Sequence, residues 1–132
     1  MIIATDTKRL SNLIKAELWA ELGYCREVVT VNEAAAKTYA VGTVLGKVTA
    51  SGKYKIAVET AVDGSKVGAG IVLEDKAIAA TTDTKLSVLV KGPSAVAKGA
   101  LVIDTTTYND ATKLGVLYAD FAAKNILVLE SA

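Results

Sequence analysis

The chain has 132 residues, which suits one domain with a single sizeable core. Fifteen basic residues against fourteen acidic ones leave a formal net charge of +1, so nothing electrostatic points to nucleic acid or a charged membrane as a partner. Hydrophobic residues make up 52% but aromatics only 5%, so the apolar mass is largely Ala and Val, which favours strands and small-residue packing over aromatic ligand platforms.

The composition also removes most site chemistry. There is no histidine, so neither a Ser-His-Asp nor a Cys-His arrangement can be built, and a His-rich zinc site is excluded. The one cysteine, Cys25, forms no disulfide within the chain and reads as a small half-buried residue. That fits synthesis in a reducing cytoplasm. Residues 104–110 space their acids with threonines and lack the central Gly and closing Glu of a calcium loop. No Gly-rich stretch matches a phosphate loop. A pair of carboxylates is the one enzymatic route left, and the chain reads as a non-enzyme with no cofactor and no metal. Residues 1–10 have no apolar signal core, and no run approaches eighteen apolar residues, so neither a signal peptide nor a membrane span is expected.

In chain order, residues 1–5 read as a terminal arm. Asp6 or Thr7 can cap a helix over 8–21, because Leu10, Leu13, Ile14 and Leu18 fall at helical spacing and Gly23 can end it. Trp19 lies off that stripe and is read as packing within the subunit or contacting another one. Val28, Val29, Thr30 and Val31 form a β-branched strand. Residues 33–37 are an alanine-rich connection with room for a helical turn. Gly42 opens a run over 43–49. Ala50, Ser51 and Gly52 turn it, and 53–58 returns as the second arm of a hairpin. Asp63-Gly64 marks a turn, and 67–73 is an apolar strand carrying Gly68 and Gly70. A loop over 79–84 leads to a strand over 85–90, stopped by Gly92-Pro93. A short β segment follows over 95–103. Ala111, Leu114, Tyr118 and Phe121 predict a helix over 109–124, with Asn125 in the left-handed position after it. Residues 126–129 are a last strand. No repeat and no linker divides the chain.

The ordered series from Arg26-Glu27-Val28-Val29-Thr30-Val31 through the run 42–54 (GTVLGKVTASGKY) resembles the lambda-like head decoration proteins of tailed bacteriophages. The resemblance continues through Asp63-Gly64-Ser65, the run 67–75, Val88-Leu89-Val90-Lys91-Gly92 and Ala100-Leu101-Val102. It implies an α+β fold: a compact mixed domain with a β-barrel-like (β-tulip) body, an N-terminal arm and helix, and a C-terminal helix. Residues 1–23 would be the arm and amphipathic helix, and 24–132 the single-domain body. The implied function is structural. Trimers would bind the major capsid protein at local three-fold axes on the outer surface of the expanded head, after synthesis in the host cytoplasm. In that family the arm adds as a strand to the capsid. Here strand addition is restricted to residues 1–5, through Ile2 and Ile3, while Leu10, Leu13, Ile14 and Trp19 are expected to dock as a helix on the capsid or a sister subunit.

A second reading starts from Glu74-Asp75-Lys76-Ala77, which resembles the Asp-Lys-Ala of lipoyl domains. It makes the chain a small β-rich carrier or ligand-binding module with Lys76 at a hairpin tip. The plainer reading of those residues is a polar loop after an apolar strand.

Overall fold

A computed structural model gives the fold and describes residues 13–17 and 25–129. Among the described residues, ten strands and one long helix make up a mixed α+β body. Five of the strands close a barrel: β2 (Arg26–Val31), β5 (Tyr54–Ile56), β4 (Val44–Lys47), β6 (Gly68–Val72) and β8 (Thr84–Leu89), in that order. All neighbours are antiparallel except β2 and β5, which meet in parallel at Val31 and Tyr54. A second sheet has the order β1 (Ile14–Glu17), β9 (Ser94–Ala97), β10 (Ile126–Leu129). A ribbon of β3 (Lys37–Tyr39) and β7 (Lys76–Ile78) completes the β structure.

The apolar runs seen in the sequence are strands covered on both faces. Val44, Ile71 and Leu89 belong to one buried cluster, and their chain neighbours Leu45, Val72 and Val88 to another. The second cluster also holds Val31, Leu86 and Tyr39. The first lies under the second sheet and the helix α1 (Ala111–Ala122), and takes in Leu13, Val96, Leu117, Phe121 and Ile126. The hairpin expected over 43–58 is β4 and β5. The helix expected over 109–124 is α1, capped by the Asp110 carboxylate, which accepts from the Lys113 N–H at 2.8 Å. Asn125 has φ 63°, the left-handed turn that lets the chain enter β10.

Two close approaches need glycine. A Cβ on Gly46 would sit 1.9 Å from the Ser65 carbonyl oxygen. A Cβ on Gly68 would sit 2.9 Å from the Phe121 ring. The first lets the Asp63-Gly64-Ser65 turn lie on the β4–β5 hairpin, and the second lets α1 lie on β6. Both glycines fall in stretches that carry the resemblance, so those stretches mark packing points of the scaffold.

Three local expectations are corrected. Within the described part of residues 8–21, Ile14–Glu17 is a strand, and it pairs antiparallel with β9 through Ile14 and Val96, Ala16 and Ala95, Glu17 and Ser94. The apolar spacing suggested a helix, but a free edge on β9 offers four residues a ladder that overrides so short a periodic signal. Residues 33–37 hold no helical turn. Glu33 forms a bridge with Ala80 instead, and β3 begins at Lys37. The loop expected over 74–77 gives way to β7 at Lys76, which pairs with Tyr39.

Candidate interaction surfaces

The polar groups buried in the body act as structural pins. Glu33 is 4% exposed, and its Oε2 accepts from the Tyr39 hydroxyl and from the Ile56 N–H at 2.7 Å. Its carbonyl accepts from Thr81 N–H at 2.7 Å. One side chain thus ties β5 and the β3–β7 ribbon to the end of β2. Burial first, then the bond to Glu33, raises the Tyr39 hydroxyl far above the usual phenol range. Tyr108 is likewise pushed up to about 12, mainly by burial and then by the charges of Asp120, Glu59 and Asp104. Its hydroxyl donates to the Lys66 carbonyl at 2.5 Å.

Asp63 accepts from the Ser65 hydroxyl at 2.6 Å, from the Ser65 N–H at 3.0 Å, and pairs with Lys55 at 2.9 Å. The Ser65 hydroxyl, then Lys55, hold its carboxyl well below the usual range. Asp83 is lowered in the same way by Asn32 and then Lys53. Asp83 shares an open depression of about 350 Å³ with Glu27, Lys47, Lys53 and Tyr54. Among the described residues no cluster of three or more His, Cys, Asp or Glu side chains could hold a metal ion, and no helix is long and apolar enough to cross a membrane.

The expected contact residues separate into two groups. Ile2, Ile3, Leu10 and Trp19 lie outside the described residues. Leu13 is fully buried in the first cluster, and Ile14 is half-buried against it. Docking of Leu13 and Ile14 as one outward helical stripe is therefore corrected: the body of the chain itself covers them. Sequence reasoning also missed Glu17 and Arg26. The Glu17 side chain is 2% exposed and takes both arms of Arg26, at 2.8 Å and 2.7 Å. This two-armed pair fastens β1 to the start of β2, and the bond to Glu17 raises the Arg26 pKa. Nothing in the local pattern announced it, because the two residues meet only through the fold. Lys76 is the first residue of β7, half-buried and paired with Tyr39, and not on a hairpin tip, so the carrier reading loses its presented lysine.

Exposed large apolar side chains stand on the barrel side, with Val28 on β2 62%, Val62 100% and Val67 46% exposed, and also on the second sheet and α1. On β10, Ile126 is buried and Val128 packs against the core, while Leu127 is 57% and Leu129 38% exposed. Among the described residues β10 pairs only with β9. Its sequence, Ile-Leu-Val-Leu, has neither the charge nor the proline that usually blunts an edge strand. An open groove of about 650 Å³ runs beside it, lined by Glu17, Pro93, Ser94, Ala95, Ala122, Asn125 and Leu127. The exposed face of α1 adjoins this groove at Ala122. It carries Thr112, Gly115, Val116, Ala119 and Ala123, and no charge. Gly115 stands inside the helix, where glycine costs about 1 kcal/mol relative to alanine. A Cβ there would meet nothing within 4 Å, so the subunit's own packing does not require it.

Comparison with known proteins adds one match. The family model of the bacteriophage lambda head decoration protein D matches residues 3–125, nearly the whole chain. No curated protein and no solved structure matches it. The match takes in the barrel, the second sheet up to the start of β10, and all of α1. The chain belongs to the bacteriophage lambda head decoration protein D family, and it is a structural protein of the phage capsid.

Proposed function

We propose that this chain binds the major capsid protein on the outer surface of the expanded head, as trimers at local three-fold axes, and holds neighbouring capsid subunits together. The observation that carries this reading is the uncharged apolar side of the second sheet and α1. A closed barrel with internal polar pins sits beside a sheet and helix that expose uncharged apolar residues, with Leu127 and Val116 each more than half exposed. Such a surface supplies contact area and no chemistry. Small contacts used by several subunits at once raise avidity without any single tight site. Residues 1–5 act as a strand added to a capsid sheet through Ile2 and Ile3, with Leu10 and Trp19 as further contacts. Synthesis takes place in the host cytoplasm, in keeping with a chain that forms no internal disulfide.

The test is to add purified protein to expanded, undecorated heads and image them. Clusters of three on local three-fold axes are expected. Isolated copies, or bare heads at saturating protein, would overturn the reading.

A further inference from the structure

We infer that the loop tip at Val62 of one copy seats in the groove beside β10 of the next, and that this contact, made three times, closes the trimer. The inference rests on the trimer reading above and assigns the two surfaces it needs. Val62 is 100% exposed, and its neighbours Thr60 and Ala61 carry no charge. Loops are usually polar and mobile. This one is pinned on both sides of its tip. The Thr49 N–H donates to the Asp63 carbonyl at 2.9 Å, and the Asp63 carboxylate accepts from the hydroxyl and N–H of the buried Ser65. On the other side the Glu59 N–H donates to the Thr107 hydroxyl at 3.1 Å. An apolar tip already held in place loses little freedom when it docks, so its burial counts nearly in full.

Three arguments choose a second copy as the occupant of the groove. The first is fit. The groove of about 650 Å³ is walled largely by Pro93, Ala95, Ala122 and Leu127, which suits an uncharged loop tip. Its one carboxylate, Glu17, is held by Arg26, and Asp63 beside the tip is held by Lys55, so neither brings an unpaired charge into the contact. Glu59 and Lys66 balance each other at the rim of the tip, which leaves Lys124 beside the groove facing no net charge. The second is symmetry. A surface that meets its own copy builds a two-fold pair, whereas a three-fold ring needs two different surfaces, and this chain carries both. The third is spacing. The bonds of Glu59 to Thr107 and of Tyr108 to Lys66 put the loop at the N-terminal end of α1, while Ala122 and Asn125 put the groove at its C-terminal end. The twelve residues of α1 separate the two by about 18 Å. A chain of 132 residues has a radius of gyration of about 14 Å, equivalent to a sphere of about 18 Å radius. In a ring of three touching spheres the two contact points on each lie about 60° apart, a distance of one radius. Surfaces on opposite poles would lie about 36 Å apart and build a filament instead.

The test uses expanded heads and a short bis-maleimide linker. Cys25 is fully buried, so introduced thiols are the accessible ones. Heads decorated with a variant carrying both Val62→Cys and Leu127→Cys should yield covalently linked pairs and trimers of this chain, and each single variant should yield none. Val62→Asp should melt like the parent and bind heads at least tenfold more weakly. Three-fold clusters on the heads without linkage in the double variant would overturn the assignment and leave the trimer standing. Linkage in either single variant, which means a surface meeting itself, or normal head binding by Val62→Asp would do the same. Isolated copies on the heads would overturn both.

Discussion

The barrel and the second sheet are built from similar short strands, yet they treat their edges in opposite ways. In the barrel each of the five strands has a neighbour on both sides, and Glu33 and Asp63 spend their hydrogen-bonding capacity inside the subunit. In the second sheet β9 is buried along its whole length, but β10 runs along a rim and turns two leucines outward. Closure removes the template on which other chains pair. Among the described residues one sheet is closed and the other keeps an open edge at β10, while the barrel strand β2 also turns Val28 outward.

Substitutions on the two sides should therefore differ in kind. The largest effect on stability is expected at Leu13, which is fully buried although it lies in the terminal segment. Leu13→Asp places an unpaired charge in the core and should cost about 4 kcal/mol or more, read as a collapsed thermal transition. An unchanged melt with lost head binding would return Leu13 to the contact surface.

Glu33→Ala comes next. It leaves the Tyr39 hydroxyl and the Ile56 N–H without their acceptor, at a cost of about 3 kcal/mol in urea unfolding. Glu33→Gln keeps an acceptor oxygen and should lose less. Equal losses for the two would mean that side-chain volume, not the hydrogen bonds, holds the ribbon.

Asp63 gives a pH signature. Its folded pKa lies below the unfolded value near about 4, so its contribution is fully present above that value and is lost as pH falls through the folded one. Asp63→Asn should flatten the acid limb of the stability curve by lowering stability at pH 7 to 8, and the two curves should converge as pH falls through the folded pKa. An unaltered acid limb would show that the Ser65 and Lys55 bonds do not hold in solution.

The smallest stability effect is expected at Leu127. Leu127→Lys should shift stability by no more than about 0.5 kcal/mol, because the side chain already faces solvent. Head binding should nevertheless weaken, since a charge now stands on the edge strand. Normal decoration by this variant would remove β10 from the contact surface.

The same division governs what could be read in the sequence. The barrel strands were legible because the β-branched run 28–31 and the apolar stretch 85–90 carry strong local signals, and the 43–58 hairpin has its turn residues in place. Helix α1 was legible from its apolar spacing and Asn125. Closure was legible only through the family resemblance, because it depends on β2 meeting β5 in parallel, a pairing that no local pattern encodes. β3 and β7 have three residues each, too few to show a period. Glu33 looked like part of an alanine-rich connection, and only the fold brings Tyr39 and Ile56 to it. β1 was misread because its four residues fall within an apolar spacing that suits a helix. The exposed apolar surface was the least legible part, since Leu127 and Val116 stand out only once their exposure is known.

The most direct measurement is cryo-microscopy of expanded heads decorated with this protein, at a resolution that places β10 and α1. The account predicts that β10 and α1 lie against the capsid or sister copies. The barrel end carrying residues 34–36 and 81–83, exposed in the subunit, should remain in solvent. Heads on which that barrel end meets the capsid, while Leu127 and Val116 face solvent, would contradict it.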